Sequence, residues 1–417
     1  MRISSSLVFQ TGLNTINAQQ SDLMHLFQQI GSGQRMVTPA DDPLAASQAI
    51  NISQSQAQNT RYASNRAVAN QNLGTEENAL SSLTTLLADV RTRLVEVGNG
   101  TLSDADRQTL AGVLSSARAT ALGIANATDG NGQYLFSGSK GSQPAFDTDG
   151  NYLGDSLQRM IQVNETRQLA GSDVGSDVFA RAQPGTLAYG SAAGAGNTGT
   201  AIVTGPYIAD RAANADPTDQ TLAGYSFSVT VKAPATPGAA FSYDVVATAK
   251  DGSSTTTSFD AQPGDTELDL GHGVKVQFTG APNAGDTFEV EPLQQQNANL
   301  FQSIDNLIDA LNKPSSGDDA ATAALRNQIN TTMQQVASSY DNVLTVRASI
   351  GSRMNELTAL DDSGAQSGLG FTKALSGLED LDYYTATTQL SLRKMALEGA
   401  GLAFQTIQGL SLFNMGK

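Results

Sequence analysis

The sequence predicts an α+β fold: long helices from both chain ends form an elongated bundle or coiled coil around an inserted antiparallel β domain. Of the 52 glycines and prolines, 28 lie in residues 141–296, which predicts a segment of strands and turns there. At both ends apolar residues recur every three or four positions, as in amphipathic helices. Residues 225–292 instead alternate apolar and polar side chains, as in half-buried strands.

The negative charge follows the same division. The 417-residue chain has a net charge of -16, and residues 141–296 hold 18 acids and 7 bases, whereas both ends are nearly neutral. Binding to nucleic acid or to an anionic membrane requires clustered Lys and Arg, so neither partner is expected. The acidic middle segment is interpreted as a solvated surface, and the near-neutral ends are interpreted as the segments that pack against other copies of the chain.

The N-terminal part predicts three helices. One helix contains an apolar stripe with one polar interruption. A second is predicted from Pro43 to Val97, since no further proline occurs in this stretch. Ser103 with Asp106 resembles a capping box that opens a third helix, through Ala127. The stripe of the first helix is Phe9, Leu13, Ile16, Gln20, Leu23, Phe27 and Ile30, and that of the second is Ala69, Leu73, Glu76, Leu80, Leu83, Leu87, Val90, Leu94 and Val97.

The C-terminal part predicts two more long helices. The first carries an apolar stripe from Leu325 to Leu357, and the second runs from about Phe371 to Leu412. Its stripe is Leu378, Leu381, Leu392, Met395, Leu402 and Phe413.

The middle segment predicts strands at 225–233, 241–249, 274–280 and 286–292, which alternation assigns to an antiparallel sheet or small sandwich. A hairpin is predicted from Phe146 to Leu153, with Asp149-Gly150 in its tight turn. A short strand is expected from Gln133 to Phe136, and residues 184–220 are interpreted as a mobile loop.

The residues that could support catalysis are few. The chain has no Cys and two histidines, His25 and His272, which are expected to be a surface and a turn histidine. Asp147 opens a stretch similar to a calcium loop, but the sixth position, which requires glycine, is Tyr152. Asp41 and Asp42 before Pro43 are expected to cap a helix. We therefore expect no enzyme activity, no cofactor and no metal.

The terminal helices are not expected to be stable alone, because an isolated amphipathic segment is marginal in water. We expect both ends to be disordered in the monomer and to become coiled coil on assembly. Full helicity of both ends in a dilute monomer, measured by far-UV circular dichroism, would contradict this expectation.

Several motifs point to one family. The run SGQRMVTPADDPLAASQAI (Ser32 to Ile50) resembles the N-terminal signature of the flagellin superfamily. Other motifs resemble the branch of that superfamily that forms the junction between hook and filament. They are NGTLSDADR (99–107), NATDGNGQYLFSG (126–138), NVLTVRASIGSRMNEL (342–357) and QGLSLFNMGK (408–417). The resemblance covers about residues 1–180 and 295–417, and is loose between them.

The resemblance implies a structural subunit of the bacterial flagellum that connects the hook-associated protein 1 ring to the flagellin filament. It implies self-association in a ring, contacts with a hook-associated protein of type 1 and with flagellin, and an export chaperone at the C-terminal helix. The protein would be extracellular and exported unfolded by the flagellar type III route, without a cleaved signal peptide. The lack of Cys is compatible with such export, since no disulfide can block threading.

The resemblance also implies three domains: residues 1–42 with 372–417 as an inner coiled coil, 43–181 with 295–371 as a helical bundle with a hairpin, and 182–294 as an outer β domain. Subunit contacts are expected on the terminal stripes. The residues are Phe9, Leu13, Ile16, Leu23, Phe27, Ile30, Leu392, Met395, Leu402 and Phe413. The alternative is that these residues close only an intrachain pair.

Two other functions stay open. Flagellin itself would share the paired helices and the export route, and filament formation by the purified protein alone would favour it. A surface adhesin or carbohydrate-binding module carried by the β segment is a second alternative, to be tested by glycan or calcium binding of residues 182–294.

Overall fold

A computed structural model describes residues 5–181, 189–214, 224–236, 238–293 and 299–413. The helices are α1 (Ser5–Ser32), α2 (Pro43–Val97), α3 (Asp104–Ala125), α4 (Gly175–Phe179), α5 (Arg211–Asn214), α6 (Leu300–Leu311), α7 (Asp319–Glu379) and α8 (Tyr383–Phe413). The strands are β1 (Met160–Gln162), β2 (Gln168–Ala170), β3 (Tyr189–Ala193), β4 (Ile202–Ile208), β5 (Tyr225–Lys232), β6 (Phe241–Ala249), β7 (Ser254–Ala261), β8 (Glu267–Asp269), β9 (Val274–Thr279) and β10 (Thr287–Pro292). The predicted α+β class is confirmed.

The chain divides into two compact units, residues 1–65 with 358–417 and residues 66–357. The second unit contains the apolar stripe predicted for α2, and all nine of its residues from Ala69 to Val97 are buried. Ser103 opens α3 with the predicted capping box: its hydroxyl accepts from the Asp106 N–H, and its own N–H donates to the Asp106 carboxylate, both at 3.2 Å. Heptad spacing and cap chemistry therefore predicted these helices correctly.

The predicted last helix is wrong at its start. α7 continues to Glu379, and α8 begins only at Tyr383, because residues 380–382 leave the helical path. The Asp382 carboxylate accepts from the backbone N–H groups of Tyr384 and Thr385 at 3.0 and 3.3 Å, so it caps a new helix. The spacing of apolar residues continues across this break, so the Asp382 cap is the local sequence feature that indicates a new helix.

The β part of the second unit is a sandwich of two antiparallel sheets. One has the order β3-β10-β5-β6-β7 and the other the order β4-β9-β8. Their inner faces share one buried core, in which the rings of Phe241 and Phe278 from opposite sheets lie 5.4 Å apart. The four predicted strands are confirmed as β5, β6, β9 and β10.

The interpretation of residues 184–220 as a mobile loop is wrong where the structure describes them, because they include β3, β4 and α5. Residues 184–188 and 215–220 lie outside the described part of the chain. The strand expected from Gln133 to Phe136 is also absent: Tyr134 makes only an isolated bridge with Thr128. β3 is rich in small residues, so no alternation of apolar and polar side chains in its sequence predicts a strand that pairs with β10.

The hairpin predicted from Phe146 to Leu153 is confirmed by its turn. Phe146 pairs with Tyr152, and Gly150 has a φ of 80° that favours glycine. The Asp147 carboxylate accepts from the Asp149 and Asn151 N–H groups, so it stabilises the turn. The Phe146 ring lies 5.1 Å from the ring of Phe301 on α6, inside an aromatic cluster with Phe136 and Phe179.

A carboxylic acid is buried in the helical part of this unit. Glu76 on α2 is fully buried and accepts from the Asp173 N–H at 3.0 Å, while Arg353 forms an ion pair with Asp173. Burial, followed by the charge of Asp173, raises the pKa of Glu76 from 4.5 to about 8. The folded unit therefore holds a proton that the unfolded chain releases above about pH 4.5.

This proton predicts a pH dependence of stability. Because its carboxyl pKa is raised, the contribution of Glu76 to the stability of the unit is fully present below about pH 4.5 and is lost as the pH rises toward about 8. Glu76→Gln keeps an acceptor for the Asp173 N–H but cannot ionise, so its midpoint temperature of unfolding should exceed that of the wild type increasingly between pH 5 and 8. Thermal melts at four pH values check this. Parallel curves for the two proteins would refute the assignment.

Candidate assembly surface of the terminal helices

The two terminal helices pair with each other in the unit formed by residues 1–65 and 358–417. α1 and α8 run antiparallel: Gly12 near the start of α1 faces Phe404 late in α8, and Asp22 forms an ion pair with Arg393. A Cβ on Gly12 would lie 3.0 Å from the Phe404 ring, so the glycine permits this close approach. An intrachain pair of the ends is therefore part of the fold.

This pair buries few side chains. Among the side chains that the structure describes on α1 and α8, only Leu26 and Ala386 are buried. Leu390, Leu397 and Phe404 on α8 are half-buried, which places them on the face toward α1. So small an apolar contact provides little of the hydrophobic free energy that usually stabilises helices of this length.

The opposite face of α8 is also apolar. Leu392, Met395 and Leu402 keep 59%, 67% and 66% of their surface exposed. At 100° per residue these three lie on the side of the helix opposite Ala386 and Leu397. A helix that is apolar on both sides is typical of one surrounded by other elements, and one chain covers only one side.

The ten predicted contact residues divide accordingly. Five are exposed: Leu13, Phe27, Leu392, Met395 and Leu402. Three on α1 are half-buried: Ile16, Leu23 and Ile30. The side chains of Phe9 and Phe413 lie outside the described part of the structure. The sequence interpretation missed Leu7, Met24 and Tyr384, which are exposed beside them and which a helical projection of both ends could have identified.

The signature motif joins the end of α1 to the end of α7. Gly33, with a φ of 73°, ends α1, and its carbonyl accepts from the Leu381 N–H at 3.0 Å. The Arg35 guanidinium donates from Nε and Nη2 to the Leu378 carbonyl at 3.1 and 3.0 Å, so it caps the end of α7. Gly33 and Arg35 of this turn thus both bind the backbone at the end of α7.

The acidic pair in the motif is structural, but only Asp42 caps a helix as predicted, because Asp41 binds the turn that precedes α2. Asp42 accepts from the Ala45 N–H at 3.0 Å and caps α2. Asp41 accepts from the N–H groups of Val37 and Thr38 at 2.8 and 2.9 Å. The Thr38 N–H is the main cause that lowers the pKa of Asp41 from 3.8 to about 2, and His25, 3.1 Å away, adds to it. Both acids therefore hold the turn together.

The other histidine lies in a turn, as expected. His272 has a φ of 45° between two glycines, and its ring stacks on Tyr225 with 3.8 Å between centroids. Within the described ranges there is no group of three or more His, Asp or Glu side chains arranged to hold a metal ion. None of the described helices is long and apolar enough to cross a membrane.

Comparison with known proteins agrees with this fold. Residues 3–141 match the bacterial flagellin N-terminal helical region. The chain is 29% identical to flagellar hook-associated protein 3 of Escherichia coli over 418 residues, which cover 100% of both chains.

Two crystal structures are similar in fold. FlgL of Xanthomonas campestris has a TM-score of 0.64 and 26% identity, over 78% of this chain and 99% of that chain. The flagellar junction protein FlgL of Legionella pneumophila has a TM-score of 0.61 and 25% identity, over 80% of this chain and 100% of that chain. The chain is thus similar to flagellar hook-associated protein 3 in sequence along its whole length, and to FlgL structures in fold along most of it.

Proposed function

We propose that the chain is a structural subunit of the bacterial flagellum that forms the junction between hook and filament. The observation that carries the proposal is the α1/α8 pair, whose outer face is apolar and uncovered in the single chain. The full-length match to hook-associated protein 3 supports this function over flagellin. Since the relatives are structural flagellar proteins, an enzymatic role has no support from them.

Copies of the chain associate in a ring through the terminal helices. The outer apolar residues of one α1/α8 pair pack against the pairs of neighbouring copies, so that Leu392, Met395 and Leu402 become buried. A buried aliphatic side chain contributes about 1.5–3 kcal/mol relative to an exposed one. Several such residues per subunit supply the free energy that the intrachain pair lacks.

The ends become ordered on assembly. The α1/α8 pair has few buried residues of its own, so in a free monomer the cost of ordering the two helices is not offset. Amide hydrogen exchange of monomer and assembled protein tests this step. Fast exchange in both helices of the monomer, slowed in the assembly, is the expected result, and equal protection in both states would overturn it.

The chain has two different neighbours along the flagellum. A ring of hook-associated protein type 1 lies on the hook side and flagellin lies on the filament side. The chain reaches this place by unfolded export through the flagellar type III route, with a chaperone bound to α8 before assembly. The apolar outer face of α8 supports chaperone binding, because it needs cover in the cytoplasm.

Three domains serve this assembly: residues 1–42 with 372–417 pair as the inner domain, 43–181 with 295–371 form the bundle, and 182–294 project into solvent. The separate core of the β sandwich supports an independently folded outer domain. Its acidic surface supports a position in solvent, because like charges repel close packing.

Genetic complementation tests the function. A strain that lacks its own junction protein makes hooks but sheds flagellin into the medium. Expression of this chain should restore attached filaments and swimming. Continued shedding of flagellin by a strain that exports the chain would contradict the proposal. Filaments formed by the purified chain alone would favour the flagellin alternative.

A further inference from the structure

The β sandwich has a core of its own and still lies against the long helix α7. The cluster of buried apolar residues between its two sheets is made of residues 189–290. β3 and β4 lie close together, and each is the edge strand of its sheet. An edge strand has backbone N–H and C=O groups that no neighbouring strand pairs. At these two edges, side chains of α7 supply the partners.

Asn327 on α7 takes the place of a neighbouring strand at the edge of β4. Its Oδ1 accepts from the Val203 N–H, and its Nδ2 donates to the Ala201 carbonyl, both at 2.9 Å. A peptide group of an added strand would make the same pair of bonds. Asn327 is 6% exposed, and Ala201 and Val203 are buried too, so these polar groups depend on one another for pairing.

Thr331 and Gln334 pair the edge of β3 in the same way. The Thr331 hydroxyl donates to the Ser191 carbonyl at 2.6 Å, and Gln334 Oε1 accepts from the Ser191 N–H at 3.0 Å. Asn327, Thr331 and Gln334 are spaced by four and three residues, so they project from one face of α7. One helix face therefore binds an edge strand of each sheet.

These bonds determine the direction of the sandwich more than its stability. Apolar packing is non-directional, whereas a hydrogen bond holds its donor and acceptor in a narrow range of angles. A buried N–H or C=O that loses its partner costs free energy, so β3 and β4 resist any turn away from α7. The core between the two sheets does not need these bonds, so the sandwich can lose them without unfolding.

We propose that Asn327, Thr331 and Gln334 form a latch that holds the β sandwich in one orientation on α7 and closes the edges of β3 and β4 to strand pairing with other chains. The three are positioning residues: without them the sandwich folds but moves relative to the helices. The latch acts within one chain, whatever that chain assembles with.

Asn327→Asp in the full chain tests the latch. At about pH 7.5 it places a carboxylate oxygen where Nδ2 donates to the Ala201 carbonyl, so two oxygens repel and the edge of β4 leaves the helix. The protection factor of the Val203 amide against hydrogen exchange should fall at least about tenfold. The Val229 amide in β5 should keep its protection, because Val229 belongs to the sandwich core.

The same variant should recover at low pH. Burial raises the pKa of a carboxyl above the ordinary aspartate value of about 3.9, so at about pH 4.5 the introduced group is protonated. It then donates to the Ala201 carbonyl and accepts from the Val203 N–H, as the amide does. The protection of the Val203 amide should return, which a change in packing alone would not produce.

Gln334→Glu is the matched control. It puts the same charge on the same face of α7, but the Ser191 N–H needs only an acceptor there, which glutamate provides. Protection of the Ser191 and Val203 amides should stay as in the wild type at both pH values. NMR relaxation of backbone amides reports the orientation. In Asn327→Asp at about pH 7.5 the β5 amides should tumble faster than those of α3, whereas in the wild type and the control they should tumble together.

Unchanged Val203 protection in Asn327→Asp, or a loss that persists at about pH 4.5, would overturn the latch. Equal tumbling of β5 and α3 after that loss would overturn the positioning role. If Val229 loses protection as well, because the sandwich unfolds, Thr331→Val replaces this variant and removes one donor at nearly constant shape. Ser191 protection should then fall while that of Val229 stays, and no change at Ser191 would contradict the proposal.

Discussion

Replacing Leu392 and Leu402 together by aspartate is expected to abolish attachment of the protein to the flagellum. Both side chains are exposed in the single chain, so the variant should fold. Because the same face of α8 is the proposed chaperone site, an immunoblot of the medium for the variant itself separates loss of export from loss of attachment. In the assembly each aspartate would place an unpaired charge in an apolar contact, which costs more than the lost 1.5–3 kcal/mol or so of each leucine. Cells with the variant should make hooks and shed flagellin, which immunoblots of the medium measure.

The matched control is Leu157→Asp. Leu157 is also a leucine with most of its surface exposed, but it lies outside the terminal helices. This variant should swim normally. If the double variant swims as well as the control, the outer face of α8 is not a subunit contact, and the α1/α8 pair closes only within the chain.

Phe301→Ala is expected to destabilise the unit of residues 66–357 by about 3–5 kcal/mol. Phe301 is fully buried, and its ring lies 5.1 Å from that of Phe146 and 5.9 Å from that of Phe179. Truncation leaves a cavity that the surrounding rings cannot fill without moving. Chemical denaturation followed by circular dichroism measures the free energy of unfolding.

Phe27→Ala provides the comparison, because it makes the same chemical change at a ring that is half exposed on α1. It should change the free energy of unfolding by less than about 0.5 kcal/mol. A loss of less than 1 kcal/mol or so for Phe301→Ala would show that the aromatic cluster does not hold the hairpin against α6.

The long helices could be predicted because the features that indicate them, apolar spacing and capping residues, lie within a few residues of each other in the sequence. The buried stripe of α2 follows heptad spacing, and Ser103 with Asp106 carries a complete capping box. The break before α8 was missed because apolar spacing passes through it, while Asp382 caps α8 with one side chain. β7 was missed for a different reason: its residues from Ser254 to Ser258 are all exposed, so no alternation marks the strand.

The candidate site was predicted in part. Spacing identified the apolar residues of the ends, but it assigned Leu392, Met395 and Leu402 to the same stripe as Leu378 and Leu381. Leu378 precedes the break between α7 and α8, and Leu381 lies in it. The structure separates an inner face of α8, with Leu397 toward α1, from this outer face. Which side is covered within one chain depends on the partner helix, and the spacing of one helix does not contain that information.

Cysteine labelling tests the central claim, that the outer face of α8 is buried by neighbouring copies. The chain has no Cys, so Leu402→Cys introduces a single thiol, and Thr257→Cys on the exposed strand β7 introduces the control. A thiol-reactive dye should label both variants in the monomer, but in purified flagella it should label Thr257→Cys and leave Leu402→Cys protected. Equal labelling of Leu402→Cys in monomer and flagella would contradict the account.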